Sequence, residues 1–499
     1  MNDPSGPPRR TTTTPSVVVV GGGFAGFYAA RTLERLLPAE AAELTLVSAT
    51  DHLCYSPLLP EVAAGRLDPR RIAVPLHARL RRTRILQAAV EMVDFDRRTL
   101  TLAAAGCPLA PVAWDRLALT TGSVTRVLPT PGVATHGLGL KTLVEAQYVH
   151  DHVLRQMELA DATPDREERR ARLTFVVVGA GYTGTETAAQ LQHMTTSQLD
   201  RFPRLSPDDL QWVLLDLAPR VLPELGPRLG RAAMRVIRRR GMDVRLGTTV
   251  SEVTDDGILL SDGARLATRT VLWTVGVTPP ALVQRLGLPV ARGRLVVDEQ
   301  LRLRDGVWAA DDTAAARDPF SETGTDYPPT AQHAQRQGVT IGRNIAADLG
   351  FGRPRPYRRR DLGLVADLGG AAAVARPLGL PLTGLTAKVT TKGYHLYALP
   401  AAANRLRVAT DWAVNLVSRP IAAQLGLVDP TAARLTGEQA GLSVAADRRP
   451  SGPDGARAGT AARGNASPPD NHTWTDGPRR RTGDRTGPHT QMEEVRSWT

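Results

Sequence analysis

Val17-Val18-Val19-Val20-Gly21-Gly22-Gly23-Phe24-Ala25-Gly26 decides the fold, and Phe175-Val176-Val177-Val178-Gly179-Ala180-Gly181-Tyr182-Thr183-Gly184 repeats it. In each, an apolar, mostly β-branched run leads into G-x-G-x-x-G and then into a helical pattern. The first glycine of such a turn permits a tight bend. The second leaves room for a pyrophosphate to approach the backbone, and the third lets helix pack against strand. The helix N-terminus then faces the phosphates. One such match is weak, but two in one chain predict two dinucleotides held together and electron transfer between them.

The second unit supports this. Asp216 closes the strand Val213-Leu214-Leu215 and stands where an acidic residue accepts a ribose hydroxyl. A carboxylate there repels a 2′-phosphate, so NADH is expected rather than NADPH. In the first unit Ser48 takes the corresponding place after Leu46-Val47. Its hydroxyl holds a ribose less strongly than a carboxylate does.

The chain has 499 residues, enough for two or three domains, and its 42% hydrophobic content suits globular cores. A formal charge of +12 admits nucleic acid or an anionic membrane. The surplus is not gathered into one basic helix, and aromatics make up only 4%. No nucleic acid partner is expected. Cys54 and Cys107 form no C-x-x-C, so a reducing compartment is read and no metal site is expected. Residues 1–15 lack the apolar core of a signal peptide, and no apolar run reaches the ~18–20 residues of a spanning helix. The chain is therefore read as soluble or membrane-peripheral. Of 62 Lys plus Arg, only Lys141, Lys388 and Lys392 are lysines. Keeping an ammonium in so arginine-biased a chain suggests a site that needs a compact, tunable charge.

The fold class expected is α/β, with two Rossmann-like dinucleotide-binding domains and a small C-terminal membrane-associating segment. Residues 1–15 read as a disordered N-terminus and 16–171 as the first part of the first domain. The second domain covers 172–296, with an unusually long connection over 195–211. Residues 297–354 return to the first domain, 355–434 form the C-terminal segment, and 435–499 read as a disordered tail.

Residues 16–430 resemble the type II NADH:quinone oxidoreductases. The resemblance rests on segments standing in the family's order. They are the two glycine turns, Tyr55-Ser56-Pro57-Leu58-Leu59-Pro60-Glu61-Val62-Ala63, Leu119-Thr120-Thr121-Gly122-Ser123 and Gly139-Leu140-Lys141-Thr142. They continue with Leu272-Trp273-Thr274-Val275-Gly276-Val277, Val307-Trp308-Ala309-Ala310-Asp311-Asp312-Thr313-Ala314, Pro329-Thr330-Ala331-Gln332-His333-Ala334-Gln335-Arg336-Gln337-Gly338 and Asn404-Arg405-Leu406-Arg407-Val408.

The resemblance implies FAD on Gly21, Gly23 and Gly26, helped by Ser48, Thr121, Gly122 and Asp312, and NADH on Gly179, Gly181, Gly184, Asp216 and Gly276. It implies that Ala331 and Gln332 meet the flavin ring, and that Glu186, Gln332 and Lys388 serve catalysis. His333 is expected on a helix surface. Lys388 and Lys392, four apart, suggest an interfacial helix whose lysines reach anionic lipid or the quinone mouth. The implied partner is a membrane quinone, menaquinone or ubiquinone, met at the cytoplasmic face of the plasma membrane; a homodimer is a further implied partner. This chain departs from the family at Ser48, where an acidic residue is usual, and at Asp311, where glycine is usual. These departures keep open an NADH-binding redox sensor with weak FAD binding, and a flavin oxidoreductase with a soluble acceptor is a further alternative.

Overall fold

The computed structural model describes residues 14–104, 107–430 and 433–435. The expectations for residues 1–13 and for the tail beyond 435 lie outside them. The strand Ser16–Val20 is buried along its whole length, as a parallel strand covered on both faces must be. It pairs in parallel with Glu43–Ser48 on one side and Arg116–Leu119 on the other. The full sheet runs Arg302–Arg304, Val307–Ala309, Arg116–Leu119, Ser16–Val20, Glu43–Ser48, Arg84–Gln87. Only its outermost strand, Arg302–Arg304, is antiparallel. Strands 302–304 and 307–309 thus rejoin a sheet begun some three hundred residues earlier.

The helix Phe24–Leu36 follows the first glycine turn and packs on the helix Ala331–Asp348. Small residues set this closeness. A Cβ at Gly338 would run into the carbonyl oxygen of Ala25, and one at Gly342 into that of Ala29. The N-terminus of the helix Ala331–Asp348 is held at the carboxyl edge of the first sheet in consequence.

The second sheet is four parallel strands in the order Asp243–Leu246, Gln211–Asp216, Thr174–Val178, Thr270–Trp273. Phe175 and Trp212 stack at 4.6 Å between ring centroids. The helix Tyr182–Gln198 is longer than its threonine-rich sequence suggests. Much of the connection expected over 195–211 is accordingly helix and two short 3-10 turns. Burial of Met194, Thr195 and Gln198 overrides their weak propensity.

The C-terminal segment forms a three-stranded antiparallel sheet, Val365–Asp367, Ala373–Ala375 and Leu382–Thr383. The helices Gly384–Ala398 and Ala402–Val417 follow. Ala387, Thr391 and His395, four apart, face inward and are buried. Leu385, Val389, Tyr397, Leu406, Leu416 and Val417 are exposed. Among the described residues no helix is long and apolar enough to cross a membrane.

Candidate functional site

Two crevices open at the carboxyl ends of the two parallel sheets, one at each glycine turn, and they are built alike. Gly21 and Gly179 have φ of +106° and +109°, conformations that a side chain would strain. A Cβ at Gly26 would strike the Gly21 carbonyl, and one at Gly184 the Gly179 carbonyl. Gly23 and Gly181, by contrast, open onto free space. That is the cradle a pyrophosphate needs, and a Cβ on any of these turn glycines would fill or distort it.

Around the first crevice, Ser48 ends its strand buried beneath Gly22, with its Oγ accepting the Thr50 N–H at 3.3 Å. Thr121 and Thr313 share a hydroxyl hydrogen bond of 3.0 Å. Gly122 takes a left-handed φ of +66°. Asp312 accepts from the Ser123 hydroxyl, and its second oxygen, Oδ1, is buried without a partner. Lys141 Nζ donates to Ser123 Oγ at 2.9 Å and lies 4.0 Å from Asp312. The Lys141 backbone N–H is in turn held by Glu145, whose carboxylate completes the capping box of the helix Leu143–Ala162. The orphaned Asp312 oxygen and the open glycine face fit a group rich in hydroxyls and phosphates.

Around the second crevice, Asp216 does something its sequence position does not reveal. Its Oδ2 accepts the Ala180 N–H at 2.5 Å and its Oδ1 the Ala218 N–H at 2.7 Å. It thus braces the glycine turn from within. Gly276, at φ +104°, opens onto free space, and its carbonyl accepts the Arg126 N–H at 3.0 Å.

A charged cluster joins the second glycine helix to the C-terminal segment. Glu186 Oε1 accepts the Asp367 backbone N–H at 2.6 Å. Lys388 Nζ donates to both Asp367 oxygens, at 2.5 and 2.7 Å. Lys392 pairs with Glu61 and stands 3.3 Å from Asp367. The Trp412 indole N–H donates to the second Glu61 oxygen at 2.7 Å, and Lys392 Nζ sits 4.1 Å from that ring's centroid. Burial, reinforced by the like charges of Asp367 and Glu61, lifts the Glu186 carboxyl to about 8. Burial also opposes the charge on Asp367, but the ammoniums of Lys392 and Lys388 outweigh it and hold Asp367 below the usual range. Burial lowers Lys388, against the pull of Asp367. Glu186 is thus a carboxylic acid that keeps its proton near neutrality, bonded to the backbone of the residue whose side chain pairs with Lys388. Such a group can hold a proton and release it.

Two expectations need correction. Lys388 and Lys392 do share a helix face, but it is the inner one; buried carboxylates take their charges, and neither reaches lipid. His333 is buried, not on a helix surface. The close packing of its helix turns it inward, where its Nδ1 meets the Tyr357 hydroxyl at 2.7 Å. Gln332 is not free in this structure. Its Nε2 donates to Asp361 and its Oε1 accepts the Leu362 N–H at 3.3 Å. Ala331 opens its helix behind Thr330, whose Oγ1 accepts the His333 N–H at 3.4 Å. The structure therefore gathers Glu186 and Lys388 around Asp367, and Gln332 onto the neighbouring loop. Sequence reasoning missed Glu61, Asp367, Trp412 and Asp361. A signal was present: Glu61 and Asp367 are lone acids inside apolar runs, and a carboxylate buried that way requires a partner.

The fold and crevices define a two-dinucleotide oxidoreductase. A family model described as pyridine nucleotide-disulphide oxidoreductase matches residues 15–338, and the chain belongs to that family. It is 29% identical over 417 residues to the type II NADH:quinone oxidoreductase NdhA of Mycobacterium tuberculosis, covering 79% of this chain and 86% of that one. It is 30% identical over 409 residues to the demethylphylloquinone reductase NdbB of Synechocystis sp., covering 80% and 94%. Its fold matches that of NDH2 from Plasmodium falciparum, solved with NADH, with a TM-score of 0.76 at 16% identity over 82% of this chain and all of that one. FAD and NADH are its cofactors. Cys54 and Cys107 are free, and burial pushes the Cys54 thiol up to about 12. No reactive dithiol stands among the described residues.

Proposed function

We propose that this chain oxidises NADH and reduces a membrane quinone, working peripherally at the cytoplasmic face of the membrane. The observation that carries the reading is the Glu186–Asp367–Lys388 cluster. It ties the second glycine helix to a helix pair whose outer face is apolar. FAD, when bound, supplies the redox chemistry, accepting hydride and delivering two electrons. In this reading Gly21, Gly23, Gly26, Ser48, Thr121, Gly122 and Asp312 hold it, the unpartnered Asp312 oxygen taking a hydroxyl. Gly179, Gly181, Gly184, Asp216 and Gly276 hold NADH, with Asp216 fixing the turn whose amides meet the phosphates. Ala331 and Gln332 bring a helix N-terminus to the ring. Quinone reduction consumes protons, and Glu186 holds one to give. Lys388, paired with Asp367, holds the segment that contacts Glu186 in place. The exposed Leu416 and Val417 meet the bilayer, where their burial is favourable by ~1.5–3 kcal/mol each.

The test is an anaerobic NADH titration of the purified protein, followed in the flavin band near ~450 nm, with a short-chain quinone added afterwards. Bleaching by NADH and recovery with quinone are expected. A protein that bleaches but recovers only with a soluble electron carrier would overturn the choice of acceptor. Flotation with anionic liposomes checks the membrane surface, and Leu416→Glu with Val417→Glu is expected to abolish it.

A further inference from the structure

Asp311 is out of keeping with the turn it occupies. Its φ is +68°, a left-handed conformation that glycine adopts freely and other residues only at a cost. The strand Val307–Ala309 delivers it to the carboxyl edge of the first sheet, beside the strand ends that form the first crevice. Its backbone N–H is pinned by Gln337 Oε1 at 2.7 Å, from the helix Ala331–Asp348, so the strained conformation is held from outside. Its carboxyl, for its part, takes the backbone N–H of the next residue, Asp312. Strain kept in place at a crevice is the kind of outlier that points to a role.

The charges around it sharpen the point. Asp312 is the next residue, and Lys141 approaches from the loop before the helix Leu143–Ala162. The helix Ala331–Asp348 contributes the uncharged Gln337. One ammonium therefore faces two adjacent carboxyls. Were both ionised, the crevice would carry net negative charge before a dianionic pyrophosphate arrived. Like charges at such range cannot all be retained. Burial first, and Asp312 second, raise the Asp311 carboxyl to about 8.

We propose that Asp311 is an FAD-binding residue that works as a neutral carboxylic acid, donating its O–H to an oxygen of the dinucleotide where a carboxylate would repel it. The proposal rests on the placement of FAD in the first crevice. Asp312 and Asp311 then divide the labour: Asp312, beside Lys141, accepts from hydroxyls, and Asp311 donates. FAD binding at a pH above the free protein's Asp311 titration takes up a proton from solvent. The dissociation constant is flat at lower pH and rises as pH climbs through about 8, approaching tenfold per pH unit.

The experiment measures FAD binding to the full-length apoprotein by quenching of flavin fluorescence, between roughly pH 6 and pH 9.5, a range bracketing that titration. Wild type, Asp311→Asn and Asp311→Gly are compared, with FAD itself as the probe and circular dichroism as the folding check. Wild type should follow the rising curve, and both variants should bind with a pH-independent constant. Titration in weak buffer at about pH 9 should show about one proton taken up per FAD by wild type and none by Asp311→Asn. A flat wild-type curve, or the same slope in Asp311→Asn, overturns the role of Asp311 while leaving the flavin site standing. Failure of all three folded proteins to bind FAD at any pH overturns the flavin placement itself, and Asp311's role with it.

Discussion

Glu186→Gln separates a proton donor from a structural strut. Glutamine keeps an oxygen to accept the Asp367 N–H but has no ionisable proton. The Glu186 carboxyl titrates near 4.5 when unfolded and at about 8 in the fold. Between these values the folded protein binds the extra proton, so stability falls as pH rises through this window and is level above it. Each pH unit is worth about 1.4 kcal/mol, so the accumulated cost above pH 8 approaches roughly 5 kcal/mol at the limit and is smaller where water reaches the carboxyl. Glu186→Gln should therefore match wild type in urea unfolding near pH 5 and exceed it by a few kcal/mol near pH 9. Turnover should move the other way. The neutral acid that wild type supplies is half lost at about pH 8. Wild-type quinone reduction should decline above that pH, while the variant shows no such limb and runs about a hundredfold slower. The NADH half-reaction, followed by stopped-flow bleaching, should change only a few-fold. A variant that keeps wild-type quinone turnover, or retains the same alkaline limb, would refute the assignment.

Two further perturbations probe the crevices and the cluster. Gly184→Ala should leave the protein yellow but raise the NADH dissociation constant about tenfold or more, as overpacking against the Gly179 carbonyl predicts; Gly26→Ala should instead lose FAD, and colour with calorimetric NADH titration reads both. Lys388→Met strips Asp367 of its closest ammonium and should cost about 3 kcal/mol in denaturant unfolding, with Lys388→Met/Asp367→Asn regaining more than half, because Lys392 at 3.3 Å compensates the buried charge only in part.

Much of this site was legible in the chain. The two glycine turns identified themselves because their chemistry is local: strand, bend and helix start are neighbours in sequence, and each glycine has its own backbone reason. The scarcity of lysine was legible too. All three lysines stand at buried or half-buried carboxylates, Lys141 at Asp312, Lys388 at Asp367 and Lys392 at Glu61. Burial, which lowers Lys388, acts on an ammonium far more readily than on a guanidinium. The helical spacing of Lys388 and Lys392 correctly put them on one face. It could not say which way that face points, because an amphipathic helix with apolar residues on both sides has two candidate interiors.

What the sequence by itself determined, then, was the pair of dinucleotide cradles, since every requirement of a glycine turn is met within some ten residues of chain. What only the tertiary structure decided was everything that depends on distance across the fold. Glu61 and Trp412 meet over a separation of 351 residues, and Glu186 meets Asp367 over 181. Asp216 gained a second task as a brace of its own glycine turn, and His333 moved from surface to interior, for the same reason. A polar group takes whichever partner the packing brings within reach once water is gone, and packing is a property of the whole chain.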